Sequence, residues 1–155
     1  MANHEWSMDQ LRAKAEAYCA VAERCCYDIR LKLQQWGATA DQIEKIVTHL
    51  QTAHFVDEQR YCQAFAHDKL RYQKWGKKKI AYALHSKRIA TNIIEDALKN
   101  IDETEYNTIL SKLITQKKGA TKEQVTRFCM QRGFEYSRIN ELLCYIDSET
   151  TADMD

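Results

Sequence analysis

Hydrophobic residues recur along nearly the whole chain at the spacing of an amphipathic helix. Tyr106, Ile109, Leu110, Leu113 and Ile114 occupy positions i, i+3, i+4, i+7 and i+8, which form one stripe on a helix surface. Shorter stretches with the same spacing follow elsewhere, whereas the two-residue alternation of a half-buried strand is not the dominant pattern. The pattern therefore predicts an all-α protein.

Polar residues and glycines mark where these helices begin and end. Four pairs have the spacing of an N-terminal capping box, the last with an acidic cap: Ser7 with Gln10, Thr39 with Gln42, Thr121 with Gln124, and Asp102 with Glu105. Helix ends are expected at Gly37, Gly76, Gly119 and Gly133, because glycine readily adopts the left-handed conformation that ends many helices. These signals predict nine helices, near 7–22, 26–36, 39–53, 57–74, 77–87, 90–100, 103–118, 121–132 and 135–147.

The predicted helices form groups of three. When Gly37, Arg88 and Gly133 are aligned, at offsets of 51 and 45 residues, four columns of apolar residues coincide. The columns are Ile29/Ile80/Val125, Leu33/Leu84/Cys129, Ile43/Ile94/Ile139 and Val47/Leu98/Leu143. This pattern predicts three tandem three-helix repeats, 7–53, 55–100 and 103–148, in an elongated, curved array, with an acidic, disordered tail at 149–155. The alternative is three unrelated amphipathic helix pairs.

The composition narrows the class of protein. Apolar residues make up 45% and charged residues 29% of the 155 residues, which is typical of a globular domain. With no proline and four glycines, the chain has few residues for the turns of a β-sandwich or a Gly-rich phosphate loop. No 18-residue apolar run or secretory signal is found, so we expect a cytoplasmic protein without a membrane partner. The six cysteines are accordingly expected to be free thiols, with Cys19, Cys62, Cys129 and Cys144 buried.

A basic segment stands out in a chain whose net charge is only +1. Residues 69–88 contain eight Lys or Arg, no Asp or Glu, and three interleaved aromatic residues, Tyr72, Trp75 and Tyr82. Cations neutralise phosphates and aromatic rings stack on bases, so this segment is the candidate nucleic-acid or filament-binding site. Its members are Lys69, Arg71, Lys74, Lys77, Lys78, Lys79, Lys87 and Arg88. The alternatives are a solvated helix face for the lysines, and core packing or cover of a helix end for Tyr72 and Trp75.

Acidic and further basic residues surround this segment. Acidic runs follow it at 95–105 and mark the tail at 147–155, which predicts a molecule whose charge is polarised along its length. A second basic set, interrupted by Glu123 and Glu135, is a candidate continuation of the same surface. It comprises Lys112, Lys117, Lys118, Lys122, Arg127, Arg132 and Arg138.

Ordered motifs over residues 12–146 resemble those of the RecX family of recombination regulators. The first is Ala17-Tyr18, then Arg24, then Ile29, Leu33 and Gly37 at four-residue spacing. The second is Phe55-Val56-Asp57-Glu58 with Tyr61 and Ala64-Phe65, followed by Gly76, Ile80, Leu84, Ile89 and Ile94. The third is Arg132-Gly133-Phe134 with Ile139. The chain departs from the family pattern at Arg88, where the family has glycine, and at Cys25-Cys26, where it often has a serine cap.

The resemblance implies a function. RecX proteins are cytosolic, non-enzymatic regulators that bind the RecA recombinase filament on single-stranded DNA and modulate, mainly by inhibition, its recombinase and ATPase activities in DNA repair. The resemblance therefore implies a RecA filament partner, with single-stranded DNA in contact with the basic face. We expect no metal, because no two histidines have the spacing that places both imidazoles on one helical face. We also expect no cofactor and a monomer. The alternative function is a helix-turn-helix-like DNA-binding module that acts without RecA.

Overall fold

The computed structural model describes residues 5–117 and 119–152, with side chains to residue 149. Within these residues the chain forms nine α-helices and no strand, which confirms the predicted all-α class. The helices are α1 (Met8–Val21), α2 (Cys26–Gln35), α3 (Ala40–Thr52), α4 (Glu58–Gln73), α5 (Lys77–Ser86), α6 (Thr91–Lys99), α7 (Glu103–Gln116), α8 (Lys122–Gln131) and α9 (Tyr136–Ala152). None of the helices in the described part is both long and apolar enough to cross a membrane.

Most helix ends follow the sequence signals. Ser7, Thr39 and Thr121 each form a complete capping box at the start of α1, α3 and α8. Asp102 caps α7 by accepting from the Glu105 amide, but the Glu105 carboxylate binds Arg71 and does not complete the predicted box. Gly37 and Gly133 adopt left-handed backbone conformations after α2 and α8, as predicted. The prediction for Gly76 is wrong, since Lys74 takes the left-handed conformation that ends α4, with φ of 59°, and Gly76 is the N-cap of α5.

The aligned columns occupy equivalent environments. Eleven of the twelve residues are buried, and the twelfth, Leu98, is half-buried against the same core. The turn after the second helix of each group is also equivalent, because Gly37, Arg88 and Gly133 all have positive φ. Arg88 therefore accepts the left-handed conformation, with φ of 57°, at a cost of about 1 kcal/mol compared with glycine.

The nine helices pack in three groups, called here the first unit (α1–α3), the second unit (α4–α6) and the third unit (α7–α9). The first unit has a core of its own, and the second and third units share a larger one. The total surface of 10064 Å² exceeds the roughly 8,100 Å² expected for a compact 18.2 kDa protein. The units are therefore arranged as an elongated array.

The second and third units meet backbone to backbone. The Gly76 amide donates to the Arg132 carbonyl at 2.7 Å, and the Lys78 amide donates to the Gly133 carbonyl at 3.0 Å. A β-carbon at Gly76 would lie 2.3 Å from Gly133 C, and one at Gly133 would lie 2.5 Å from the Lys79 backbone nitrogen. We call this contact the glycine junction. It supplies acceptors to the first turn of α5, which has no side-chain cap.

Two peripheral features differ from the expectations. Cys62 and Cys129 are buried and Cys19 is half-buried, but Cys144 is exposed, so its predicted burial is wrong. Helix α9 continues to Ala152, so the first part of the predicted acidic tail, 149–152, is helical. The remainder of that tail, 153–155, lies outside the described residues.

Replacement of Gly76 by alanine tests the glycine junction. The backbone of Gly76, with φ of −80°, suits any residue, so without the close contact Gly76→Ala would be neutral or stabilising. We expect it to destabilise the fold by roughly 1–3 kcal/mol, as other overpacked sites do. Gly37→Ala is the control, since its β-carbon meets nothing within 4 Å and only the positive φ opposes it. A thermal melt in which Gly76→Ala is at least as stable as wild type would refute the junction.

Candidate nucleic-acid interface

Three of the eight predicted site residues form ion pairs between units. Lys87 lies 2.6 Å from Asp28 of the first unit, and Lys77 lies 2.7 Å from Glu103 of the third unit. Arg71 donates to both carboxylate oxygens of Glu105, through Nε to Oε1 and through Nη2 to Oε2, the latter at 3.2 Å. These cations hold neighbouring units together, and their charges are partly neutralised.

These pairs correct the predicted charge polarity. Glu103 and Glu105 lie against the basic segment, although in sequence they form a separate acidic run. Hydrogen bonds from Lys77 and Arg138 lower the pKa of the Glu103 carboxyl. Arg138, a member of the second basic set, is thereby also paired, and Lys118 of that set lies outside the described residues. The acidic and basic runs therefore face each other at the boundary between the second and third units.

The other five predicted residues have no carboxylate within ion-pair distance in the described part of the chain: Lys69, Lys74, Lys78, Lys79 and Arg88. Lys74 donates to the Arg71 carbonyl at 2.5 Å. Lys69 and Lys79 lie 4.7 and 4.6 Å from the ring centre of Trp75. We call this trio, Lys69, Trp75 and Lys79, the second-unit patch.

Trp75 has a double role in this arrangement. Its ring is half-buried and packs edge-on against Phe65, with ring centres 6.4 Å apart, so it covers the core as one of the sequence alternatives expected. The two lysine ammonium groups lie near the same ring, where the ring quadrupole attracts them. The ring thus positions two cations that have no acidic partner.

Helix α5 presents an exposed face that carries cations and an aromatic ring without any acid. Its inner residues Ile80 and Leu84 are buried, and its exposed residues are Lys78, Lys79, Tyr82, His85 and Ser86, called here the α5 outer face. The ring of Tyr82 is 79% exposed, and Tyr72 on α4 is 77% exposed, so the core-packing alternative is wrong for Tyr72. Exposed rings beside unpaired lysines can stack on bases while the lysines contact phosphate.

The charge of α5 works against its own helix. Three lysines occupy the first turn, where the helix dipole is positive and acidic residues are favourable. Lys77 has Glu103 as a partner, but Lys78 and Lys79 have no carboxylate partner among the described residues. Neither of these two lysines therefore stabilises the helix through its dipole.

Two residues that the sequence pattern does not single out hold α5 in place. The buried Tyr106 hydroxyl accepts a hydrogen bond from the Lys77 amide at 3.0 Å and donates to Glu135 at 2.9 Å. Burial raises the pKa of Tyr106, so the hydroxyl keeps its proton. In sequence, Tyr106 is one member of an apolar stripe, and nothing local distinguishes its hydroxyl role.

The described residues contain no group of three or more His, Cys, Asp or Glu that could hold a metal ion. The conspicuous polar surface is thus the basic one, and it lies in the part of the chain that a known family covers. A family model described as RecX, second three-helix domain, matches residues 57–98, which span α4 to α6. A curated regulatory protein RecX from Clostridium acetobutylicum is 31% identical over 134 residues, which are 79% of this chain and 62% of the relative. The chain is thus similar in sequence to RecX proteins over most of its own length.

Other RecX proteins are similar to the chain as well. The regulatory protein RecX of Clostridium perfringens is 29% identical and that of Prosthecochloris aestuarii 26% identical. The alignments cover 75% and 84% of this chain, and 58% and 89% of the respective relatives. This chain therefore spans little more than half the length of the clostridial protein. The crystal structure of RecX from Lactobacillus salivarius shares the fold, with a TM-score of 0.80 at 20% identity over 90% of this chain and 96% of that one.

Charge reversal at Lys78 tests whether α5 is charged against its own stability. We expect Lys78→Glu to leave the free energy of unfolding unchanged or to raise it by about 0.3–1 kcal/mol, because the carboxylate suits the helix N-terminus. Lys99→Glu, in the last turn of α6, is the matched control and should lower stability by a similar amount. Chemical denaturation measures both variants. Destabilisation by Lys78→Glu would show that Lys78 serves the fold.

Proposed function

We propose that this chain is a non-enzymatic regulator of the RecX family that binds the RecA recombinase filament on single-stranded DNA and inhibits its recombinase and ATPase activities. The α5 outer face and the second-unit patch would supply the contacts to DNA. Of the predicted site residues, Lys69, Lys74, Lys78, Lys79 and Arg88 would bind the filament. Arg71, Lys77 and Lys87 would act indirectly, by fixing the neighbouring units.

The observation that carries this proposal is the set of unpaired cations on α5. In a chain with net charge +1, most charged groups have opposite charges available within the same molecule. Among the residues that the structure describes, Lys78 and Lys79 have no carboxylate partner, and they lie beside exposed aromatic rings at the unfavourable end of a helix. A phosphate backbone supplies the missing negative charge. An elongated array also offers a long surface that suits a filament.

The helix-turn-helix alternative fits the structure less well. A recognition helix reads the major groove mainly with residues at its N-terminal end. The N-terminal backbone of α5 lies in the glycine junction, where the Arg132 and Gly133 carbonyls accept its amide hydrogens. The backbone at the start of α5 is therefore covered by the third unit, while the side chains of Lys78 and Lys79 in the same turn remain exposed on the outer side. This geometry favours contacts from that outer side to a backbone or filament surface.

A filament-binding assay with charge variants tests the proposal. Lys78→Glu/Lys79→Glu should weaken binding to RecA-coated single-stranded DNA and reduce inhibition of its ATPase. If both lysines contact phosphate on single-stranded DNA, the log–log salt dependence should flatten by about 0.7 for each phosphate that is no longer neutralised. The control is Lys45→Glu/Lys99→Glu, which makes the same net charge change on α3 and α6.

Unchanged filament affinity in the folded Lys78→Glu/Lys79→Glu variant would contradict the assignment of the site. A gel-shift comparison addresses the alternative function. Bare duplex bound as tightly as RecA-coated single strands would favour a DNA-binding module that acts without RecA, whereas a clear preference for the coated strand supports the proposal.

A further inference from the structure

The first unit carries a cluster of aromatic and basic side chains that lies outside the basic segment. Its members, called here the first-unit patch, are Trp6, Lys14, Tyr18, Arg24, Lys32 and Trp36. The Lys14 ammonium lies 3.8 Å from the Trp6 ring centre and 4.6 Å from that of Trp36. The Arg24 guanidinium lies 3.8 Å from the Tyr18 ring centre, and Lys32 lies 5.5 Å from the same ring. The rings of Tyr18 and Trp36 meet edge to face at 6.3 Å.

The patches of the first two units occupy equivalent positions. Tyr18 and Arg24 lie 51 residues before Lys69 and Trp75, which is the offset that aligns the buried columns. In the first unit the aromatic residue, Tyr18, precedes the cation, Arg24, whereas in the second unit the cation, Lys69, precedes the aromatic residue, Trp75. Each unit therefore has a contact between a ring and a cation at the same pair of aligned positions. Equivalent positions in a tandem array lie on the same side of successive units.

The charges of the first-unit patch are not neutralised by acids. Lys14, Arg24 and Lys32 have no carboxylate within ion-pair distance in the described part of the chain, whereas nearby cations such as Arg30 and Arg60 do. The three rings are half-buried, so part of each remains open to solvent. Three cations and three rings within one surface match the composition of sites that bind single strands without sequence preference.

We propose that the first-unit patch is a second binding surface for single-stranded nucleic acid, continuous in direction with the second-unit patch. A strand held on both patches would follow the long axis of the array across two units. The inference rests on the proposed function in one respect, because the bound strand would be the single-stranded DNA of the RecA filament. Binding of single-stranded DNA without RecA does not depend on that function and can be measured directly.

The competing explanation is that the patch only covers the core of the first unit. Trp6, Tyr18 and Trp36 do pack against that core. Substitutions that keep the apolar cover and remove the charge or the aromatic face separate the two roles. Lys14→Met/Lys32→Met keeps the aliphatic stems, and Trp36→Leu keeps an apolar group at the ring position.

The affinity of these variants for an oligothymidylate long enough to span two units tests the inference. We expect Lys14→Met/Lys32→Met to flatten the log–log salt dependence by about 0.7 for each phosphate that the removed lysines would neutralise. We expect Trp36→Leu to weaken binding roughly 5- to 150-fold, which is the usual range for removal of one base-stacking ring. Lys45→Met/Lys99→Met, two exposed lysines outside the patch, is the matched control and should bind as wild type.

Tryptophan fluorescence supplies an independent readout. The chain has three tryptophans, two in the first-unit patch and one, Trp75, in the second-unit patch. In Trp75→Phe, the remaining tryptophan fluorescence comes from the first-unit patch alone, and we expect the oligothymidylate to quench it. In Trp6→Phe/Trp36→Phe, the fluorescence comes from Trp75 alone, so its quenching measures binding to the second unit.

Each outcome distinguishes the two proposals. If the folded first-unit variants bind the strand like wild type while Lys78→Glu/Lys79→Glu binds it weakly, the inference is overturned and the proposed function stands. If wild type does not bind the bare strand, or Trp75→Phe shows no quenching, the inference is likewise overturned. If neither set of variants alters binding to the strand or to the filament, both proposals fail.

Discussion

The position of the basic helix depends on one contact, the glycine junction between Gly76 and Gly133. The backbones of the two segments lie so close together there that neither glycine has room for a β-carbon. The amides at the start of α5 donate hydrogen bonds to carbonyls of the third unit. In the other units the corresponding helices are capped differently. Helix α8 has its own capping box, while the Cys26 amide at the start of α2 donates to Glu58 of the second unit at 3.3 Å. For both α2 and α5, the following unit supplies a hydrogen-bond acceptor for an amide at the start of the second helix of the preceding unit.

This constraint divides the basic segment into two functional groups. Arg71, Lys77 and Lys87 point to acids of the adjacent units and hold the array together. The cations on the outer side of α4 and α5 have no such partners in the described ranges, and those on α5 increase the local positive charge at a helix N-terminus. One run of lysines and arginines therefore serves both the assembly of the units and the surface that we propose for binding. The division follows from which way each residue faces once the junction has fixed α5.

The features that sequence predicts correctly are those that depend on local spacing. Helix positions, capping boxes and the aligned columns all arise within one helix or one repeat, so they can be inferred from periodicity. The prediction for Gly76 is wrong because a glycine after a helix looks the same in sequence whether it needs a positive φ or a close neighbour. The pairing of Glu103 and Glu105 with the basic segment depends on the rotation between units, which no local pattern encodes. The first-unit patch depends on how α1 and α2 pack against each other and on the chain before and between them, so the spacing within a single helix does not reveal it.

Amide hydrogen exchange measured by NMR tests the glycine junction most directly. First-turn amides of a helix normally exchange fast because they lack intrahelical acceptors. The structure predicts that the amides of Gly76, Lys77 and Lys78 are protected, whereas those of Thr91 and Asn92, at the start of α6 without a side-chain cap, exchange fast. Equal, fast exchange at both helix starts would contradict the junction and the orientation of the basic face that depends on it.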